Sequence, residues 1–157
     1  MSTTATNLQA EALHSGLHTH CFACAPGNPH GLGLHFCTDE KGVTHATWQP
    51  TQEYQSYNGR IHGGILATLI DASMVHALFA LGVAGVTAEM NLRYHTPVLL
   101  DAPVEVATWV EAHKLGLYRL RAEVRQAGRV VVVAAAKFMA IPDTSAIEKY
   151  KTNENCH

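Results

Sequence analysis

The chain has 157 residues, 47% of them apolar and 15% charged, with a formal net charge of −2. This length suits one domain with a real core, and the apolar share excludes disorder over most of it. The near-neutral charge gives no electrostatic case for nucleic acid or an anionic membrane as partner, and the apolar run at residues 130–136 falls far short of the ~20 residues a spanning helix needs.

Residues 1–16 are polar without a sustained pattern and are expected to form a flexible or helical extension. They lack the basic-then-apolar pattern of a signal peptide, so a cytoplasmic protein with reduced thiols is expected. The stretch "CFACAPGNPHGLGLHF" gathers Pro26, Gly27, Asn28, Pro29, Gly31 and Gly33, which is loop chemistry. Strand-like residues on both sides of Asp39-Glu40-Lys41-Gly42 then predict a hairpin.

From Gly63 to Leu81 the chain runs without proline and meets Gly82. This predicts a helix closed by a glycine C-cap. Apolar residues on every side of it, such as Ile65, Leu66, Leu69, Ile70, Val75, Leu78 and Phe79, predict that it is buried all round. Next, "VTAEMNLRYHTP" alternates Val86, Ala88, Met90, Leu92 and Tyr94 against Thr87, Glu89, Asn91, Arg93 and His95. Three further strands are predicted up to residue 142, turning near Lys114-Leu115-Gly116 and Gln126-Ala127-Gly128. In the middle one, Leu120, Ala122 and Val124 form a dry face between Arg119, Arg121, Glu123 and Arg125. Residues 17–142 are therefore expected to form one α+β domain, a mostly antiparallel sheet around one long helix, and 143–157 a polar tail. Surplus apolar surface predicts an oligomer.

Asp71 is the only acid in that apolar helix. A buried carboxylate is costly unless paired or used, and desolvation suits it to act as a general base or nucleophile. Thr68, three residues earlier, is the expected polar neighbour. Gly63 and Gly64 start the helix, where N–H groups lack intrahelical acceptors and carry the positive end of the dipole. With no side chains there, a substrate carbonyl could approach them as in an oxyanion hole. Gly63 and Asp71 lie about 12 Å apart along a helix rising ~1.5 Å per residue. One helix cannot bring both to a single carbon, so a working site is expected to be shared by antiparallel helices of a two-fold dimer.

The element order, "HGGILATLID" and "GVTAEMNLRYHTPV" resemble the hot-dog fold acyl-CoA thioesterases of the PaaI-like group over roughly residues 20–141. "HCFACAPGNPHGLGLHF" is similar to the CFxCG-x-NPxGL stretch of one branch, with Ala25 in place of the glycine after its second cysteine. The resemblance implies a hot-dog fold and hydrolysis of an acyl-CoA, with Gly63 as oxyanion donor and Asp71 as base or nucleophile. It implies that His62 orients the thioester end, that Gly64 is the second motif glycine and that Thr87 positions water. Many relatives carry asparagine six residues before the histidine, where this chain has Ser56, with Asn58 four before; these two, with Thr68, are the expected substrate contacts. A homodimer, or a dimer of dimers, is implied, without a cofactor. The alternative is a non-catalytic hot-dog protein that binds acyl-CoA or a small apolar ligand.

Cys21-x2-Cys24, with His18, His20, His30, His35 and Cys37 nearby, raises the question of zinc. One CxxC pair without a cleanly spaced histidine pair falls short of four tetrahedral ligands. No metal site is expected on that ground.

Overall fold

The computed structural model describes residues 3–142; the expected polar tail lies outside them. In chain order come helix α1 (Thr3–Leu17), strands β1 (Cys37–Thr38) and β2 (Thr44–Trp48), helix α2 (Gly63–Phe79), and strands β3 (Gly85–Tyr94), β4 (Val104–Lys114), β5 (Leu117–Gln126) and β6 (Arg129–Ala140). The six strands form one sheet in the order β1-β2-β4-β5-β6-β3, antiparallel throughout. Helix α2 packs against β2, β3, β4 and β5.

The turns follow from the residues that make them. Leu115-Gly116 and Ala127-Gly128 both take positive φ, at 51° and 79° and at 49° and 75°. Two consecutive left-handed residues make the tight turn whose twist matches antiparallel strands. Asp39 closes the first hairpin, its carboxylate accepting from the Lys41 and Val43 N–H groups at 2.9 Å each. That hairpin is shorter than its pattern suggests, because residues 32–34 are drawn elsewhere. The Leu32 and Leu34 N–H groups donate to the Phe22 and Ala23 carbonyls at 2.9 and 3.0 Å, so the glycine-rich loop folds on itself and only two residues remain for β1.

Gly31 is where that loop is tightest. A Cβ there would sit 2.6 Å from the Phe22 carbonyl oxygen, a contact with backbone that no rotamer can relieve. We expect Gly31→Ala to destabilise the protein by about 1–3 kcal/mol, read as a lowered midpoint in thermal or urea unfolding. An unchanged midpoint would mean that the loop adds nothing to the folded core.

Helix α2 is the centre of the core. Leu66, Leu69, Ile70, Met74 and Leu78 are almost fully buried, each contributing roughly 1.5–3 kcal/mol of hydrophobic stabilisation. It ends as the glycine predicts: Gly82 takes φ 73°, while the Val83 N–H reaches the Leu78 carbonyl and the Gly82 N–H the Phe79 carbonyl, at 3.0 and 2.9 Å. This pair of bonds is the Schellman closure. The expectation of burial all round is corrected along one stripe. Gly64, Ala67, Thr68, Asp71 and Val75 stay partly or wholly accessible, and the spacing 64-68-71-75 marks one face of the helix. The sheet and loops cover the rest of α2 and leave this face open.

The phase of β3 is also corrected. Thr87 pairs with Phe138, and Glu89, not Ala88, pairs with Lys137. Ala88 is therefore a β-bulge, an extra residue that shifts the alternation. Phe138, Ala136, Ala134 and Val132 form an alternating buried row on β6, and their partners are Thr87, Met90, Leu92 and Tyr94. Thr87 thus shares the helix-facing side with Met90, Leu92 and Tyr94, not with Glu89 and Asn91. Val86, expected on the dry face, is instead 54% exposed.

Candidate active site

The start of α2 is built by His62. Its backbone is extended (φ −65°, ψ 129°), and its ring Nδ1 accepts from the Gly64 N–H at 2.9 Å. Its carbonyl accepts from the Ile65 and Leu66 N–H groups at 3.0 and 3.2 Å. His62 is therefore a helix N-cap, and an accepting Nδ1 leaves the neutral ring's proton on Nε2. Of the first-turn donors only the Gly63 N–H has no acceptor among the described residues. The paired-glycine expectation is corrected accordingly. The Gly64 N–H is already spent, and a Cβ at position 64 would lie 3.1 Å from the His62 ring. Gly64 makes room for the cap; Gly63 offers the free donor.

Tyr94 supports Gly63 from the sheet. Its hydroxyl donates to the Gly63 carbonyl at 2.7 Å, and its ring would lie 3.6 Å from a Cβ at position 63. Burial raises the Tyr94 pKa above its ordinary value, which keeps the hydroxyl a donor. Sequence reasoning assigned Tyr94 only to an apolar face. The missed signal was the tyrosine itself, since a partly buried phenol needs a hydrogen-bond partner. Beside it, a cleft of about 290 Å³ runs between Ile61, Leu66, Thr96 and Val98.

Asp71 lies on the open stripe of α2, two turns further on. The Thr87 hydroxyl donates to its Oδ1 at 2.6 Å, a short charge-assisted bond that fixes the carboxylate. The bulge at Ala88 makes this contact, because it turns Thr87 toward the helix. Thr68 shares that stripe with Asp71, and its hydroxyl donates to the Gly64 carbonyl at 3.0 Å. Asp71 is only half-buried in the single chain, so the expected enclosure is not supplied by its own sheet. Ser56 and Asn58 sit in the exposed turn before α2, where the Ser56 N–H donates to the Arg60 carbonyl at 2.9 Å. Neither side chain hydrogen-bonds to His62, Gly63, Asp71 or Thr87. Because α2 is continuous over Gly63–Phe79, the separation of about 12 Å between Gly63 and Asp71 stands.

At the far end of α2 the structure assembles a second group. His14 and His18 of α1 and its end, Cys21 and Cys24 of the loop, and His76 of α2 converge, with the ligand atoms of His14, Cys24 and His76 within 4.8 Å of one another and those of His18, Cys21 and Cys24 likewise. The ground for expecting no metal is thereby overturned. His14 and His18 are a pair at helical i, i+4 spacing, and His76 arrives from a segment remote in sequence. Burial, reinforced by His14 and His18, pushes His76 down to about 3. The hydrogen bond with Cys24, then that with His18, brings Cys21 down to about 3, while Cys24 is pushed up by its bond with Cys21.

The profile of the thioesterase superfamily matches residues 58–133, a span that contains all of α2, β3 and the Asp71–Thr87 contact. Just under half of the chain thus carries the pattern of the thioesterase superfamily. Its hot-dog fold, an antiparallel sheet packed on one long helix, recurs in several solved structures. One, described as a thioesterase superfamily protein, is 24% identical, with 87% of this chain and 80% of that one covered at a TM-score of 0.73. The E. coli PaaI protein from the phenylacetic acid degradation operon is 16% identical, with 88% and 95% covered at 0.72. A hypothetical thioesterase from Streptococcus pneumoniae, solved with coenzyme A, is 21% identical, with 69% and 85% covered at 0.65; it has also been solved as aspartate-to-alanine and threonine-to-alanine variants. No curated protein sequence is significantly similar to the chain. Among the described residues, no helix is long and apolar enough to cross a membrane.

Proposed function

We propose that the protein hydrolyses an acyl-CoA thioester to the free acid and coenzyme A, at a site shared by two subunits. The observation that carries this reading is Asp71, held by Thr87 at 2.6 Å on the open face of α2, on a helix whose first N–H, at Gly63, is unspent. The carboxylate either takes a proton from water, whose hydroxide adds to the thioester carbon, or adds to that carbon itself. In both routes the carbonyl oxygen becomes an oxyanion, which the Gly63 N–H and the helix dipole stabilise. Collapse of the adduct breaks the carbon–sulfur bond and expels coenzyme A as thiolate, which then takes up a proton. When Asp71 adds itself, water must afterwards cleave the resulting anhydride. Thr87, by occupying Oδ1, leaves Oδ2 to face the reacting atoms.

Two features support a dimer. Strand β3 is a ten-residue edge of the sheet, and an unprotected edge of that length invites pairing with another chain. The open stripe of α2 supplies a face on which a partner helix would complete the enclosure of Asp71. The coenzyme A held by the pneumococcal thioesterase supports the substrate class. The aspartate and threonine replaced in that protein's variants are sixteen positions apart, as Asp71 and Thr87 are.

The test is a panel of short, medium, long and aryl acyl-CoAs assayed by release of free thiol. Saturable hydrolysis of at least one class is expected. Binding without turnover across the panel would favour a non-catalytic ligand-binding protein. Thr87→Val should cut kcat by about tenfold or more, since a hydrogen bond to a charged group contributes ~1.5–3 kcal/mol. Unaltered kcat in that variant would show that the Thr87 hydroxyl has no part in setting Asp71.

A further inference from the structure

A cluster that the hydrolytic site does not use lies at the opposite end of α2. His76 is 8% exposed, and its Nε2 is buried without a hydrogen-bond partner; the His14 Nε2 is in the same condition. Leaving a buried ring nitrogen unpaired costs roughly 1–3 kcal/mol, and the two rings that carry these atoms converge on one thiol. Cys24 is that thiol, common to both sets of converging ligand atoms. The His18 Nδ1 stands 3.5 Å from its sulfur, and Cys21 is three residues away on the same turn of loop, where the Ala25 N–H donates to the Cys21 carbonyl at 3.0 Å.

We propose that Cys24, His14 and His76, whose ligand atoms already stand together, bind a zinc ion, with Cys21 of the adjoining set turning in as the fourth ligand. Two thiolates and two imidazoles are a set that suits zinc's tetrahedral preference and borderline softness. Binding gives both orphaned nitrogens a partner and displaces the thiol protons to solvent, so atoms and charge balance without any redox step. His18, beside the Cys24 sulfur, donates to the coordinated thiolate as a positioning residue, the outer-shell support that metal ligands characteristically receive. Phe36, stacked on His76 at 4.4 Å between ring centroids, walls one side of the site. The ion would tie three separate segments together: α1, the glycine-rich loop and the C-terminal half of α2. His76 lies only about 7.5 Å along α2 from Asp71, five residues at ~1.5 Å each, but it is buried whereas Asp71 lies on the open stripe, so the ion would sit behind the hydrolytic face and not on it. Its role is structural.

The test uses the full chain, purified under reducing conditions without added metal or a histidine tag. Elemental analysis should find about one zinc per chain, and cobalt substitution should give the visible absorption of a tetrahedral site with a thiolate charge-transfer band in the near ultraviolet. Strong chelation should lower the melting temperature by about 5 °C or more, because the binding free energy of a structural site is folding free energy. Cys24→Ser and His76→Gln should lose the zinc at least tenfold, whereas His35→Gln, on an exposed neighbour, should keep it. If those two variants fail to fold, the wild-type stoichiometry and cobalt spectrum still decide. Folded wild-type protein that stays below ~0.1 zinc per chain after incubation with zinc would overturn the proposal, judged against a structural site's characteristic tight binding. So would a Cys21–Cys24 disulfide in the folded protein, or a cobalt spectrum without the thiolate band.

Discussion

Asp71→Asn should lower thioester hydrolysis by about 10²-fold or more, the usual cost of removing a general base, while secondary structure and oligomeric state remain those of the wild type. The amide is close in shape to the carboxylate, and its oxygen still accepts from the Thr87 hydroxyl that now lies 2.6 Å from Oδ1. The packing of α2 is therefore undisturbed, and the change removes charge and basicity alone. Asp71→Ala removes the acceptor as well and should be at least as inactive. Because Asp71 lies on the open stripe and is only half-buried, neither variant should leave a large cavity, and the melting temperature should move little. The measurement is kcat on the best acyl-CoA of the panel, with circular dichroism and sedimentation as controls. Turnover near wild type in either variant would make Asp71 a residue of the helix surface and end the hydrolytic assignment.

The second expectation concerns two subunits at once. Gly63→Val would crowd the free N–H at the start of α2, where even a Cβ would rest 3.6 Å from the Tyr94 ring, and so keep a thioester carbonyl away. Asp71→Asn removes the base. Each homodimer should be nearly inactive, since loss of an oxyanion donor costs about 10²–10³ and loss of a base ~10² or more in rate. In a heterodimer of the two, one site receives both damaged parts and the other receives both intact ones. About half the wild-type activity per dimer should return, as two-fold symmetry places one complete site in each mixed pair. Differently tagged chains, co-expressed and purified as the mixed species, allow the measurement. Mixed dimers as inactive as their parents would show that the two parts do not meet across the interface, and the antiparallel-helix arrangement would fail.

Periodicity and punctuation determined most of the fold. The uninterrupted apolar stretch ending at Gly82 read as a largely buried helix, because its apolar residues need cover and a left-handed glycine gives the last carbonyls partners. The dry face of Leu120, Ala122 and Val124 followed from strand geometry alone. Asp71 stood out for a physical reason as well: a lone carboxylate in an apolar helix has to be accounted for. What tertiary structure decided were the relations between segments remote in sequence. A bulge is invisible to strict alternation, yet the one at Ala88 carries Thr87 to the helix face and onto Asp71. Which first-turn N–H remains free depended on the rotamer of His62, and that choice separates Gly63 from Gly64. Spacing counted Cys21 and Cys24 as a single incomplete pair, whereas folding brings His14 and His76 to Cys24 from two helices. Local pattern reports which face a residue occupies, but a site is built where several faces meet, and only the packing of distant segments sets that.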